Sequence, residues 1–380
     1  MCGIIGYVGS SKAAPLLFEA LKRMEYRGYD SAGIATLDGN FIVKKGIGKV
    51  SQLNDKLNFL EMEGTIGIGH TRWATHGVVN EDNAHPHWSC KGESVVVHNG
   101  IIENYLGLKD FLSSHGHKFR SQTDSEVIAH LLEESLRNHK DLKSAIISAI
   151  SSLKGSYAFV AMIKGRPDVL IAARKDAPLI LGIGKNENFL SSDVLGFIDR
   201  TNNAIFLDNR EIAIVSQTDA EFFDSIGKTI IKSPVTLAWE IGDASKNEYL
   251  HFTLKEIHEQ PDAIRKSLLQ KESELRDFVS AIRNTGNLFI TGCGTSYHAG
   301  LLLKYLLAKE VRVRSDVFLS SEINQQRDLL DEDSVMIAIS QSGETADVLS
   351  AVAEAKGRGA KVLSIVNVVG SSLARESNHV

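Results

Sequence analysis

Met1-Cys2-Gly3-Ile4-Ile5-Gly6-Tyr7-Val8-Gly9 opens the chain, and its reading decides the fold. Residues 2–9 are short, apolar and glycine-rich, the pattern of a buried first strand. An initiator methionine is ordinarily trimmed before a small side chain, and Cys2 would then carry a thiol and a free α-amine on one residue. An α-amine titrates near ~7.7–8.0 and a free thiol near ~8.5, so nucleophile and base would arrive together. Taken alone, an accidental or merely buried cysteine is the simpler reading. The stretches that follow reverse it.

Working outward, residues 12–26 place Ala13, Leu16, Leu17, Ala20, Leu21 and Met24 on one helical face. A polar loop follows, Tyr26-Arg27-Gly28-Tyr29-Asp30-Ser31, leading into a strand through Gly33-Ile34-Ala35. Thr65-Ile66-Gly67-Ile68-Gly69-His70-Thr71-Arg72 reads as a strand whose alternate glycines admit close backbone approach. It delivers Arg72, a planar fork suited to a carboxylate, and continues as Trp73-Ala74-Thr75-His76-Gly77. A lone arginine is more often a surface residue.

Ser94-Val95-Val96-Val97-His98-Asn99-Gly100 is a β-branched strand running into Asn-Gly. On local sequence this is a hairpin turn; the alternative pairs the Asn99 amide with the Gly100 N–H as oxyanion donors. Thr123 and Glu126 have capping-box spacing at the start of a helix carrying Val127, Ile128, Leu131 and Leu132. Asp124 between them serves the helix N-terminus or holds a substrate ammonium group. Two histidines one residue apart, His85-Pro86-His87, suggest a metal, and His115-Gly116-His117 does so less; loop histidines and no metal are the expected reading.

Composition limits what such a chain does. Its 380 residues suffice for two domains. Hydrophobic residues at 43% allow sizeable cores, and 42 basic against 47 acidic residues, net −5, give no support to a nucleic-acid binder. Three separated cysteines, Cys2, Cys90 and Cys293, form neither a CxxC pair nor a disulfide framework. With no apolar run of ~20 residues and no leader pattern, a cytoplasmic protein without membrane association is expected.

From Gly155 to Ile226 short strands follow one another, as in an antiparallel sheet-on-sheet region. Residues 228–261 read as a connector, and a helical stretch runs from Ala263 to about Arg283. Strand-like runs at Asn287–Thr291, Val311–Phe318, Val335–Ile339 and Lys361–Val366 then alternate with helices, the pattern of a doubly wound parallel sheet. Two hydroxyl-rich turns, Gly292-Cys293-Gly294-Thr295-Ser296 and Ser340-Gln341-Ser342-Gly343-Glu344-Thr345, each follow a strand and open a helix. Backbone N–H groups converge on an anion there. Tyr297 stands where a dinucleotide fingerprint needs glycine, and GxxxxGK[ST] is missing, so a small phosphorylated molecule fits better than a nucleotide.

Cys2-Gly3-Ile4, Tyr26 to Ser31, His70 to Gly77, His98-Asn99-Gly100 and Thr123-Asp124 occur in the order and approximate spacing of the class II glutamine amidotransferases. The two later turns resemble the sugar isomerase (SIS) domain. The joint resemblance covers essentially the whole chain. It implies an α/β protein: an N-terminal-nucleophile αββα glutaminase domain over 2–220, a linker over 221–262, and over 263–380 a first SIS subdomain, incomplete at its C-terminus.

The resemblance also implies roles. Cys2 attacks the L-glutamine amide with its own α-amine as proton shuttle, and Asn99 and Gly100 hold the oxyanion. Arg72 clamps the α-carboxylate, Asp124 with the Gly100 region takes the α-ammonium, Thr75 and His76 line the pocket, and Trp73 gates the ammonia path. Ser296, Ser340, Gln341, Ser342 and Thr345 match positions that bind fructose 6-phosphate, with Thr295 carrying less weight. No cofactor is implied, and a homodimer is expected of the full-length protein.

One departure stands out. The family carries two isomerase subdomains, and the second is missing here together with the C-terminal lysine that forms a Schiff base with the sugar. A truncated chain retaining only the glutaminase half, with an unpaired sheet edge, is therefore expected. The rivals are another class II amidotransferase, which would need a phosphoribosyl-diphosphate or ATP-pyrophosphatase loop, and a non-catalytic sugar-phosphate-binding module, which leaves Cys2, Arg72, Asn99 and Asp124 without a role.

Overall fold

The computed structural model describes residues 2–74, 77–237, 249, 251–283, 285–368 and 370–380. The chain divides into two compact units, Met1–Ser245 and Lys246–Val380.

The first unit is built on two antiparallel sheets. Strand Gly3–Gly9 lies inside an eight-stranded sheet, between Ile66–Arg72 and Glu187–Ser191. Strand Ser94–Ile102 lies in a seven-stranded sheet beside Gly155–Ile163. Alternation along the first strand explains the layering. Ile5 and Tyr7 face helix Ala13–Met24, packing with Leu17, Leu21 and Met24. Ile4 and Val8 face the second sheet, meeting Val97, Val160 and Leu170. On that sheet's far side Val96, Phe159 and Ile171 pack on helices Glu126–Asn138 and Leu142–Ser151. The order is therefore helix, sheet, sheet, helix, as expected. Gly67 lets the layers close: a Cβ there would lie 2.7 Å from the Leu17 side chain.

Several local expectations are corrected. Asn99-Gly100 is no hairpin turn, because both residues lie within strand Ser94–Ile102 and pair with Ala158 and Tyr157. The run from Ala204 to Ser216 divides into strands Asn203–Phe206 and Glu211–Ser216, one in each sheet. Residues 221–262 are not simply a linker. Strands Ala220–Asp224, Thr229–Ile230 and Val235–Thr236 extend the two sheets, and helix Phe252–Ser267 carries Pro261 inside it. The apolar side chains Phe222 and Phe223 explain this extension, since they bury on opposite faces of their sheet.

The second unit is a four-stranded parallel sheet. Strands Asn287–Gly292 and Ser334–Ser340 are central, flanked by Asp316–Leu319 and Lys361–Val366. Phe289, Met336 and Ala338 pack toward helix Ala346–Gly357, whereas Ile290, Ile337 and Ile339 pack on the other face with Leu303 and Phe278. The second strand is shorter than expected, because Leu307–Val311 continues helix Thr295–Leu306 as a π-helical turn. The expected bare edge is also partly covered: Asn378 N–H donates to Val362 O, and Ser364 N–H donates to His379 O.

Candidate active site

The first strand begins at Gly3, paired with Thr71, so Cys2 stands beside Arg72 and Trp73 at the neighbouring strand's end. The Trp73 N–H donates to Cys2 Sγ at 3.2 Å. Two donors fix the Cys2 carbonyl: Asn99 Nδ2 at 3.1 Å from the second sheet, and Arg27 Nε at 3.1 Å from the Tyr26–Ser31 loop. The nucleophile candidate is thus held by both sheets and a loop. Burial pushes the Cys2 thiol up, opposed by the Trp73 N–H and the charges of Arg72 and Arg27. A raised thiol needs a base to become a thiolate.

Asn99 is oriented by His70. His70 Nε2 lies 3.0 Å from Asn99 Oδ1 and 3.1 Å from His98 O, both acceptors, so this nitrogen carries the hydrogen. Burial lowers the His70 pKa to about 3, keeping it neutral. With its oxygen taken by His70, the Asn99 amide presents its NH₂ toward Cys2. Gly100 follows at φ +123°, where a Cβ would lie 2.1 Å from Ser156 O. Only glycine fits.

Arg72 is buried at 4% exposure, and its Nη2 donates to Gly77 O at 3.4 Å. Burial lowers its pKa, opposed by the charges of Cys2, Asp124 and Asp30. Asp124 is equally buried and is held by the Ile102 N–H at 2.7 Å, two residues beyond Gly100. The Arg72 charge acts on the Cys2 thiol, and the Asp124 carboxylate acts in turn on Arg72. Trp73 is 44% exposed, its ring edge-on to Tyr29 at 5.4 Å. Thr75 and His76 lie outside the described residues.

The capping-box reading does not hold. The helix begins at Glu126, whose carboxylate accepts from the N–H groups of Arg120 and Ser121, while Thr123 Oγ1 meets His87 Nε2 at 3.1 Å. His85 lies in a loop as expected, whereas His87 begins the short strand His87–Trp88. Both are buried, and the His85 ring stacks on His70 at 4.1 Å.

Four supporting residues escaped the sequence. Asp193 takes Arg27 Nη1 at 2.7 Å, Ser192 Oγ takes the Ile4 N–H at 2.9 Å, Asp30 takes the Ala74 N–H at 2.8 Å, and His70 sets Asn99. Arg27 and Asp30 belong to a loop whose polarity was visible. Asp193 and Ser192 lie over 180 residues from Cys2, beyond any local pattern.

In the second unit the two hydroxyl-rich turns leave adjacent central strands. The sheet order places the chain's reversal between those strands, the switch point where open parallel sheets bind ligands. Gly294 and Thr345 cap helices Thr295–Leu306 and Ala346–Gly357, whose N-termini both open there. Ser340 Oγ accepts from the Gly343 N–H at 3.0 Å and lies 3.5 Å from Thr345 Oγ1; Ser342 Oγ accepts from the Glu344 N–H at 3.2 Å. Ser296 is half-buried in the first turn, while Thr295 and Gln341 are exposed. Ser296 and the second turn thus occupy the ends of neighbouring strands.

Comparison with known proteins agrees with both units. Residues 70–197 match the family described as a glutamine amidotransferase domain, and residues 281–380 match the SIS domain. The chain is 50% identical over 378 residues to a protein of Pyrococcus horikoshii named glutamine--fructose-6-phosphate aminotransferase [isomerizing], covering 99% of this chain and 63% of that one. A protein of the same name from Caldanaerobacter subterraneus is 46% identical over 389 residues, covering 100% of this chain and 64% of that one. The chain therefore spans somewhat under two thirds of these relatives. A solved glutamine phosphoribosylpyrophosphate amidotransferase from B. subtilis is similar in fold, with a TM-score of 0.53 at 21% identity over 96% of this chain and 81% of that one. Among the described residues no helix is long and apolar enough to cross a membrane.

Proposed function

We propose, for a chain that joins a glutamine amidotransferase domain to an SIS domain and is homologous over nearly its whole length to proteins named glutamine--fructose-6-phosphate aminotransferase [isomerizing], that its first unit hydrolyses L-glutamine at Cys2. The ammonia released is destined for fructose 6-phosphate held by the second unit, giving glucosamine 6-phosphate in the full-length protein. The observation that carries this reading is the Cys2 thiol beside the Trp73 N–H, with Asn99 reaching across from the other sheet.

Once Met1 is removed, the α-amine of Cys2 takes the thiol proton and the thiolate attacks the glutamine amide carbon. Asn99 Nδ2 and the Gly100 N–H stabilise the oxyanion. The α-ammonium returns the proton to the departing nitrogen, leaving a thioester that water hydrolyses to glutamate. Arg72 binds the α-carboxylate as a fork, and Asp124 binds the α-ammonium. Trp73 borders the pocket on the ammonia side, and the family resemblance gives Thr75 and His76 a role in glutamine binding. Ser296, Ser340, Gln341, Ser342 and Thr345 hold the sugar phosphate at two helix N-termini.

The domains are assigned as a glutaminase unit, a connector and an SIS subdomain. A cytoplasmic location and a homodimer of the full-length protein complete the proposal. The test follows glutamate and glucosamine 6-phosphate separately in the 380-residue chain, with glutamine alone and then with fructose 6-phosphate. Glutamate without amino sugar is expected. Amino sugar formation would overturn the division of labour, and no glutamate in a folded chain with processed Met1 would overturn the glutaminase assignment.

A further inference from the structure

We propose that Cys90, His117, His130 and Glu133 form a binding site for one divalent metal ion of the zinc class. Three separate elements bring them together. Cys90 lies in the tight turn that joins strand His87–Trp88 to strand Ser94–Ile102, where the Gly92 N–H donates to Ser89 O. His117 follows helix Tyr105–Ser114, tied back by its N–H to Leu112 O. His130 and Glu133 lie three residues apart in helix Glu126–Asn138, hence on one face. His117, His130 and Glu133 are buried, and Cys90 is half-buried.

Cys90, His117 and His130 each present one ligand atom, all within 4.8 Å of one another, and Glu133 lies against this group. Cys90 Sγ is 3.5 Å from His117 Nδ1, and His117 Nδ1 is 3.0 Å from His130 Nδ1. Glu133 Oε1 is 3.8 Å from both Cys90 Sγ and His117 Nδ1. Zinc bonds of ~2.0–2.1 Å to nitrogen and ~2.3 Å to sulfur imply tetrahedral edges of roughly 3.3 Å between nitrogens and 3.5 Å between nitrogen and sulfur. The donor set of thiolate, two imidazoles and a carboxylate suits zinc rather than calcium or magnesium.

The surrounding acids fix which nitrogens face inward. His117 Nε2 lies 3.2 Å from Glu134 Oε2, and His130 Nε2 lies 3.4 Å from Glu126 Oε1. An ionised carboxylate only accepts, so each Nε2 carries its ring's hydrogen. The two Nδ1 lone pairs then point at each other across 3.0 Å, an arrangement that a shared cation stabilises. Carboxylates on the outer nitrogens of two inward-facing imidazoles are also the second shell that metal-bound histidines ordinarily have. Glu133 is steadied by the Lys91 N–H at 3.1 Å and by Arg137, which offsets the negative charge.

The ion would pin the Cys90 turn, the segment leading to Asp124 and the helix after it into one body. Its role is structural, with Glu133 beside the three-residue cluster supplying the fourth ligand. His115, the near neighbour in sequence, is exposed and takes no part. His117 finds its partners 27 residues before it and 13 after it.

The test uses the full chain with Cys2→Ala and Cys293→Ser, which leaves Cys90 as its single thiol. After chelation and gel filtration, zinc titration should restore one metal per chain and raise the unfolding temperature in a concentration-dependent way. Cobalt in the same site should give intense tetrahedral d–d bands with a thiolate charge-transfer band. Cys90→Ser should remove that charge-transfer band, and His130→Gln should abolish stoichiometric binding. Glu134→Gln should weaken zinc by ~10-fold or more. The proposal is overturned if the folded parent retains no metal, as when the imidazoles merely share a proton, or if its cobalt spectrum lacks the thiolate band. A band that survives Cys90→Ser also overturns it. Should a variant fail to fold, the parent's stoichiometry and spectrum decide.

Discussion

Burial raises the Cys2 thiol, so activity should depend on a base, and the α-amine exposed by methionine removal is the one at hand. Glutaminase kcat/KM is expected to rise with pH along a limb near the α-amine value of ~7.7–8.0; a flat profile from pH 6 to 9 would count against this base. Cys2→Ala should abolish turnover. Asn99→Ala should lower kcat by about 10²–10³, the usual cost of one oxyanion donor, with little change in KM. Arg72→Lys keeps the charge but loses the fork, so the KM for glutamine should rise about tenfold or more while kcat changes less. Equal losses in kcat and KM for the two variants would mean that neither has the role assigned. At this scale the sequence was informative where residue type carries the chemistry: Cys2, Arg72, Asn99 and Asp124 were all identifiable. It was silent on His70, whose part rests on a neutral tautomer imposed by two acceptors from another strand.

Among the elements, the Tyr26–Ser31 loop does more than connect. It crosses the Arg72–Trp73 peptide so closely that a Cβ on Gly28 would lie 2.6 Å from the Arg72 carbonyl carbon and 2.7 Å from the Trp73 nitrogen. The same peptide N–H holds Cys2 Sγ. Gly28→Ala should therefore cost about 1–3 kcal/mol of stability and also lower kcat, because the peptide must shift away from the thiol. Unfolding midpoints and kcat measured together check this, and an unchanged kcat would contradict the coupling. Strand and helix periods were readable in the chain, whereas the four layers were expected from the family resemblance and not from those periods. Asn99-Gly100 misled because Asn-Gly favours a turn locally, whereas pairing with Gly155–Ile163 keeps it in a strand. The final strands of the first unit were missed for a related reason: two-residue strands such as Thr229–Ile230 have no period of their own.

For the molecule as a whole, the first unit buries a group of histidines that remain uncharged. Burial lowers His70 to about 3 and pushes His85, His87 and His98 below the ordinary histidine value. The unfolded chain, with histidines near ~6.5, takes up more protons below that pH. Stability is therefore full above 6.5 and is lost as pH falls toward the folded values, by up to about 1.4 kcal/mol per pH unit for each such histidine. Trp73 and Trp88 both belong to the first unit, so their fluorescence follows this unit's unfolding. Its midpoint should fall between pH 7 and 5, and His85→Phe, which keeps a ring against His70, should reduce the slope by about one proton. An unaltered slope would show that His85 titrates alike in both states. Acid lability of this kind could not be read from sequence, where His85 and His87 resembled ordinary loop residues; only the fold buries them.

The central claim is that Cys2, freed of Met1, is the nucleophile that attacks glutamine. The most direct measurement is peptide mass spectrometry of the intact chain after reaction with a glutamine analogue bearing a diazoketone in place of the amide. The account predicts one adduct, on an N-terminal peptide beginning at Cys2, with Cys90 and Cys293 unmodified and glutamine protecting. Labelling of another cysteine instead, or glutaminase turnover by a chain that retains Met1, would contradict it.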